Sequence, residues 1–239
     1  MTADPVIRLH DVRKVFGAQT VLEAVSLEVR RGEAVALLGG NGAGKTTLLK
    51  IVATVLRPTA GHVSVDGRDA VRDAEAVRAR IGFAGHGAWV YDDLTAIENL
   101  RFWAVLGGRA AADAELTAAL AAVDLDRVAT ARVRTFSAGM KRRLSLARLT
   151  LFRPAVLLLD EPFGGLDQRA KKWLEGQLES FKSRGGALLM VTHSFGRELG
   201  VADRIAILAG GRIALDTPRG GLEPDDLQRL YAAHAEEGA

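Results

Sequence analysis

The chain opens on short β-rich runs, "VIRLHDVRKVF" and then "VSLEV", followed by a turn at Arg31-Gly32. "AVALLG" (34–39) is an unbroken apolar run of strand length, which reads as a strand buried on both faces. "GKTTLLKIVATVL" then takes helical spacing and predicts a helix that stops before Pro58. Glycine-punctuated strands return around "GHVSVDG" and "IGFAG". From roughly Leu94 to Arg132 the texture changes to alanine-rich helical patterns such as "ADAELTAALAAV", with no strand signal. Beyond it the pattern predicts a helix at about 138–152, a strand at 155–160 and a helix at 168–184. A strand at 187–192, a helix at 195–202 and a hairpin in "RIAILAGGRIALD" follow, the hairpin turning at Gly210-Gly211. "YAAHAEEGA" reads as a fraying terminal helix.

Strands alternating with helices argue for an α/β fold, a mostly parallel sheet with helices on both faces. N-terminal antiparallel β elements precede it, and a helical lobe is inserted into it. The expected organisation is one domain over 1–239, with a core of about 1–93 and 133–222. The lobe is expected at about 94–132, continuing into the next helix, with a terminal helix and tail at 223–239.

With 239 residues and 48% hydrophobic content, the chain can bury a normal core. Its 32 basic and 29 acidic residues leave a formal charge of +3, too small an excess to call for nucleic acid, and none is expected as a partner. The densest basic run, Lys141-Arg142-Arg143, reads as a solvated helix face. There is no cysteine, which excludes disulfides, thiolate metal sites and Cys nucleophiles and fits a reducing compartment. The most apolar stretches, Val156–Leu159 and Ala187–Val191, are strand-sized and far below the ~20 residues that cross a bilayer. Met1–His10 has no signal-peptide core. A protein of this kind acting at a membrane needs another chain to bring it there.

The sharpest signal is "GGNGAGKTT", Gly39–Thr47, which fits G-x-x-x-x-G-K-[ST] and runs from a buried strand into a helix. Gly39, Gly40, Gly42 and Gly44 let the backbone of Asn41 and Ala43 wrap so that consecutive N–H groups point inward, and the helix start adds positive potential. Lys45 reaches β/γ-phosphates, and the Thr46 hydroxyl, ahead of Thr47, is a ligand for Mg²⁺. A glycine turn without ligand is the bland alternative, and the two correct flanks argue against it. The chain therefore reads as a P-loop NTPase that takes a nucleoside triphosphate and Mg²⁺; that the nucleotide is ATP is what the family resemblance below implies.

"AVLLLDEP" (155–162) is an apolar strand ending in two acids. Asp160 is placed to hold Mg²⁺, and Glu161 to orient and deprotonate an attacking water. Acids that merely cap a strand leaving the core are the alternative, disfavoured once a phosphate loop stands on the same chain. "FSAGM" (136–140) is weaker alone: Ser137 suits a helix N-cap and Gly139 a packing glycine. Its position before the helix that leads to the acid-pair strand changes its weight.

On these motifs the chain resembles the ATP-binding subunit of an ATP-binding-cassette (ABC) transporter over nearly its full length. The family's signature turn is usually L-S-G-G-Q; "FSAGM" keeps Ser137 and Gly139 and departs at Ala138 and Met140. Asp167 in "GGLD" matches the D-loop, and His193 in "MVTHS" the switch histidine near the γ-phosphate. Phe16 in "KVFG" falls where an aromatic stacks on adenine, with a core Phe as the alternative. The resemblance implies two cassettes in a head-to-tail sandwich. Each ATP then lies between one copy's phosphate loop and the other's Ser137/Gly139, so the expected partners are a second copy and membrane-spanning subunits. The implied place is the cytoplasmic face of the cell membrane.

His86 stands where the family usually has Gln, a residue that contacts Mg²⁺ and the attacking water and relays motion to the membrane subunit. "GH" ahead of "LTAIENLRFW", together with "DEPFGGLD", is similar to the ATPase of the haem-export (cytochrome c maturation) system. Drug, lipid and polysaccharide exporters share much of this pattern and are the alternative. A soluble ABC ATPase is disfavoured, because the chain has neither long coiled coils nor a second cassette.

Overall fold

In the computed structural model, β1 (Pro5–Phe16) and β2 (Gln19–Arg30) form a long antiparallel pair. β3 (Ala34–Gly39) follows with all six residues buried, and the chain enters α1 (Lys45–Val52) five residues later. The helix ends well before Pro58, capped at Ala53. β4 (Ala60–Val65) pairs with β1 and carries the two-residue β5 (Arg68–Asp69), giving an antiparallel sheet in the order β2-β1-β4-β5. A short α2 (Ala74–Arg78) leads to β6 (Ile81–Ala84). The structure describes residues 4–235 apart from 86, 88, 153 and 194, so the expectation for His86 lies outside the described residues.

Three helices come next: α3 (Ala96–Leu106), α4 (Asp113–Ala122) and α5 (Ala138–Ala147), the last running into a 3-10 turn at Arg148–Thr150. β7 (Val156–Asp160), α6 (Gln168–Ser183) and β8 (Ala187–Val191) follow. The helix expected at 195–202 is instead a 3-10 turn over Arg197–Val201. β9 (Arg204–Ala209) and β10 (Arg212–Pro218) form the hairpin, with Gly210 and Gly211 both at positive φ, as a two-residue turn matched to strand twist requires. α7 (Pro224–Ala235) closes the described chain.

The second sheet has six strands in the order β10-β9-β3-β8-β7-β6. β9, β3, β8 and β7 run parallel, and β10 is antiparallel at the edge. β3, β7 and β8 are buried along their whole length, which is why each reads as a continuous apolar run.

Two compact units result. One comprises Met1–Phe83, Pro154–Pro162 and Gln177–Ala239; the other comprises Ala84–Arg153 and Phe163–Gly176. The sheet unit packs Ile7, Leu22, Leu37, Leu49 and Leu158 into one core. The helical unit packs Leu100, Leu116, Leu120 and Leu144. Each such side chain stabilises by roughly 1.5–3 kcal/mol on burial. α3 starts on a full capping box, with Thr95 Oγ1 accepting from Glu98 N and Glu98 accepting from Thr95 N.

Candidate active site

Three parallel strands end side by side in the sheet unit. Val191 of β8 is in register with Leu37 of β3 on one side and with Asp160 of β7 on the other. The phosphate loop, the acid pair and the segment after β8 therefore leave the same edge of the sheet. The carboxyl ends of parallel strands are where α/β sheets place ligands.

The phosphate loop is built by steric exclusion. A Cβ on Gly39 would lie 2.5 Å from the Leu208 carbonyl oxygen. Gly44, the helix N-cap at φ 101, would drive a Cβ to 2.7 Å from Leu22 Cδ2 and 3.0 Å from the Val21 oxygen. The loop closes on itself through Ala43 N to Gly40 O (3.2 Å), leaving Asn41 and Gly42 at an exposed tip. α1 begins with Leu48 N bonded to Gly44 O, so the amides of Lys45, Thr46 and Thr47 lie in its first turn, where helix donors have no intrahelical acceptor.

Lys45 lays its ammonium over this loop, donating to the Gly39 and Gly40 carbonyls at 2.8 Å each. Burial pulls its pKa below the usual lysine range, while the charges of Glu161 and Asp160 pull the other way. The Thr46 hydroxyl donates to Asp160 Oδ2 at 2.9 Å. Two hard oxygen donors, one from the first turn of α1 and one from the end of β7, thus sit one hydrogen bond apart, and among the described residues no group of three or more His, Cys, Asp or Glu forms a metal cage. That donor set fits Mg²⁺, which is commonly held by one or two protein oxygens plus substrate phosphate and water.

Glu161 takes an unusual backbone, φ +50, for a residue with a side chain. Its amide donates to Val191 O (2.9 Å), and its carboxylate accepts from Thr192 Oγ1 (3.2 Å) and meets His193 Nδ1 (2.7 Å). A carboxylate only accepts, so that contact sets a hydrogen on Nδ1 of a side chain that is 77% exposed. Thr192 escapes a reading of the sequence. Its hydroxyl is buried against the acid, yet a threonine directly after an apolar strand looks like ordinary strand composition.

Phe16 belongs to neither core: it is 45% exposed, with the Lys14 ammonium 4.8 Å from its ring centroid. An exposed aromatic at the end of β1 is available for stacking, and the reading as a core phenylalanine does not hold.

The other predicted residues lie in the helical unit. Ser137 is the N-cap of α5, its hydroxyl accepting from Met140 N at 3.3 Å. Met140, one of the two departures from the family turn, packs on the helical core. Around Gly139 a Cβ would stand 3.6 Å from Gly165 O, an ordinary contact, so packing does not demand glycine there. Asp167 accepts from Ala170 N (2.8 Å) and so opens α6. The basic run corrects the solvated-face reading. Arg142 is only 8% exposed, Lys141 pairs with Asp92 at 2.6 Å, and Arg143 donates to Val123 O at 3.1 Å. Polar side chains were drawn into this face by loop carbonyls and an acid that sequence spacing does not reveal.

Residues 22–164 match the ABC transporter family, and the chain belongs to it. It is 38% identical to the daunorubicin resistance ATP-binding protein DrrA3 of Streptomyces coeruleorubidus, over 88% of this chain and 67% of that protein. It is 36% identical to the Nod factor export ATP-binding protein I of Paraburkholderia xenovorans, over 87% of this chain and 69% of that one. The chain thus spans about two thirds of the length of these relatives. Among solved structures, an ATP-binding subunit of an ABC transporter superposes with a TM-score of 0.83 at 30% identity, over 96% of this chain and 94% of that chain. The dimeric ATP-binding cassette MJ0796, in a post-hydrolysis state bound to ADP and Pi, gives 0.81 at 25% identity, over 90% of this chain and all of that one. ABC cassettes bind and hydrolyse ATP, dimerise and work with membrane subunits. Among the described residues no helix is long and apolar enough to cross a membrane.

Proposed function

We propose that this chain is the ATP-hydrolysing subunit of an exporter of drug, lipid or polysaccharide cargo. It would sit peripherally on the cytoplasmic face of a membrane and work as a pair of copies. The observation that carries the ATPase reading is the convergence of Lys45, the Thr46–Asp160 pair and the Glu161–Thr192–His193 group on one sheet edge. The phosphates lie on the loop amides, Lys45 leaves its carbonyls for the β/γ-phosphates, and Phe16 stacks on the base. Thr46 and Asp160 hold Mg²⁺, which when bound neutralises phosphate charge. Glu161 accepts a proton from water as the water oxygen bonds to the γ-phosphorus and the β–γ bridging bond breaks, releasing ADP and phosphate. His193 holds the Glu161 carboxylate through Nδ1 and stands near the γ-phosphate. His86 is the remaining candidate for contact with that water.

Ser137, Gly139 and Asp167 serve the nucleotide of the second copy. Support comes from Gly139, whose own surroundings have room for a methyl group, so that its lack of one suits the approach of a ligand. Drug and Nod factor export in the names of its relatives favours the exporter reading with such cargo over haem export. Of the motifs that resembled the haem system, "GH" and "DEPFGGLD" lie among the proposed nucleotide-handling residues, and "LTAIENLRFW" runs into α3. An exposed apolar surface in the helical unit supports a membrane-subunit partner: Trp89 is 63% exposed, and Tyr91, Phe102, Val105 and Leu106 are exposed with it.

The test is Glu161→Gln with Mg-ATP. Hydrolysis should fall by about 100-fold or more, as for loss of a general base, while ATP accumulates in a stable dimer seen by size exclusion. Equal turnover by both chains overturns the assignment of the base.

A further inference from the structure

The loop between β6 and α3 carries His86, and its described residues are held by side chains from both neighbouring helices. Arg142 of α5 donates from one guanidinium nitrogen to the carbonyls of Gly85 (3.3 Å) and Gly87 (3.1 Å), the residues on either side of His86 in sequence. Gly87 turns at φ +93, open to glycine, but Trp89 sits at φ +46, a conformation that a bulky side chain rarely adopts without outside support. Further along, Lys141 holds Asp92 at 2.6 Å. Buried Asn99 of α3 accepts from Tyr91 N (2.8 Å) and donates to Tyr91 O (3.0 Å). Arg148, one helix-length from Ser137, lies 4.5 Å from the Trp103 ring centroid, and that ring neighbours Tyr91 at 6.3 Å.

A buried arginine is costly unless its charge is met, and here part of the compensation comes from loop carbonyls. α5 begins at Ser137, so the residue that caps the helix and the residue that grips the loop lie about one and a half turns apart on one rigid element. We infer that Arg142 is a positioning residue: it fixes the His86 loop to the helix that starts at Ser137, so that the partner copy's nucleotide, on engaging Ser137, also sets that loop. This rests on the reading of Ser137 given above. The arrangement couples closure of the pair to the loop that bears His86 and the exposed Trp89 and Tyr91.

Hydrogen exchange read by mass spectrometry tests this on the full chain with Mg-ATP, in Glu161→Gln and in Glu161→Gln/Arg142→Met. In the parent, Mg-ATP should slow exchange in peptides spanning both 39–47 and 84–95. With Arg142→Met, protection at 39–47 should remain and protection at 84–95 should disappear. In the chain with Glu161 intact, Arg142→Met should lower kcat about tenfold or more with KM for ATP within about twofold, the pattern of a misplaced group and not of lost binding. Arg142→Lys, which keeps a donor of the same charge, should restore part of the loop protection, and it carries the comparison if the Met chain does not fold. ATP-dependent protection at 84–95 that persists in both Arg142 variants overturns the inference. Absence of protection at 39–47 in the parent overturns the nucleotide site itself, a failure visible before Arg142 is touched.

Discussion

In the sheet unit the candidate residues are already bound to one another: Lys45 to the Gly39 and Gly40 carbonyls, Thr46 to Asp160, and Glu161 to Thr192 and His193. Among the described residues of the helical unit, Ser137 caps its own helix, Asp167 opens α6, and Gly139 has space beside it. The first set holds a carboxylate, a lysine and two hard oxygen donors in fixed geometry, the kinds of group that phosphoryl transfer asks of a protein. The second offers a helix start and a small residue, enough to contact an anion and nothing more. A paired cassette, as proposed above, gives the first region the chemistry and makes the second a contact surface.

Variants separate the two regions by size of effect. Lys45→Ala should act most strongly on binding: removing a charged partner costs about 3 kcal/mol, or roughly 100-fold in Mg-ATP affinity by titration calorimetry. Unchanged affinity would remove the phosphate loop from the site. Gly139→Glu should leave monomer ATP binding intact and abolish the ATP-stabilised dimer, because a carboxylate then faces the partner's triphosphate. A dimer that survives this change would make the helical unit a bystander. Thr192→Val should lower kcat by about tenfold, the lower range for disturbing one hydrogen bond to a general base, with KM little changed. Thr192→Ser keeps the hydroxyl and should stay near the parent; the reverse order would mean that the methyl group matters and not the bond. The smallest effect is on stability. Ser137→Ala removes an N-cap worth about 1 kcal/mol, a fall of about 2–4 °C in Tm by calorimetry.

What the sequence disclosed, and what it hid, follows from the range of the forces involved. β3 and the turn at Gly210-Gly211 were legible because burial on both faces and positive φ each leave a local mark in residue type. The acid pair was legible because a strand pattern ends on it. Arg142 was hidden: its burial depends on carbonyls 55 and 57 positions away in the chain, and nothing near it in sequence distinguishes it from a solvated arginine. Thr192 was hidden for the same reason, its acceptor lying 31 residues upstream. The short 3-10 turn at Arg197–Val201 replaced an expected helix, since five residues satisfy too few hydrogen bonds to sustain a longer one. Cargo was not legible at all, because the motifs that set the chemistry of ATP make no contact with it.

The absence of native cysteine makes the most direct measurement clean. One Glu161→Gln chain carries Asn41→Cys at the tip of the phosphate loop, and a second carries Ser137→Cys. Mixed with Mg-ATP under oxidation, they should form a disulfide-linked pair, and without nucleotide they should not. Should the two cysteines, placed together in one chain, instead join within a single copy, each nucleotide would be enclosed by one subunit and the paired scheme would be contradicted.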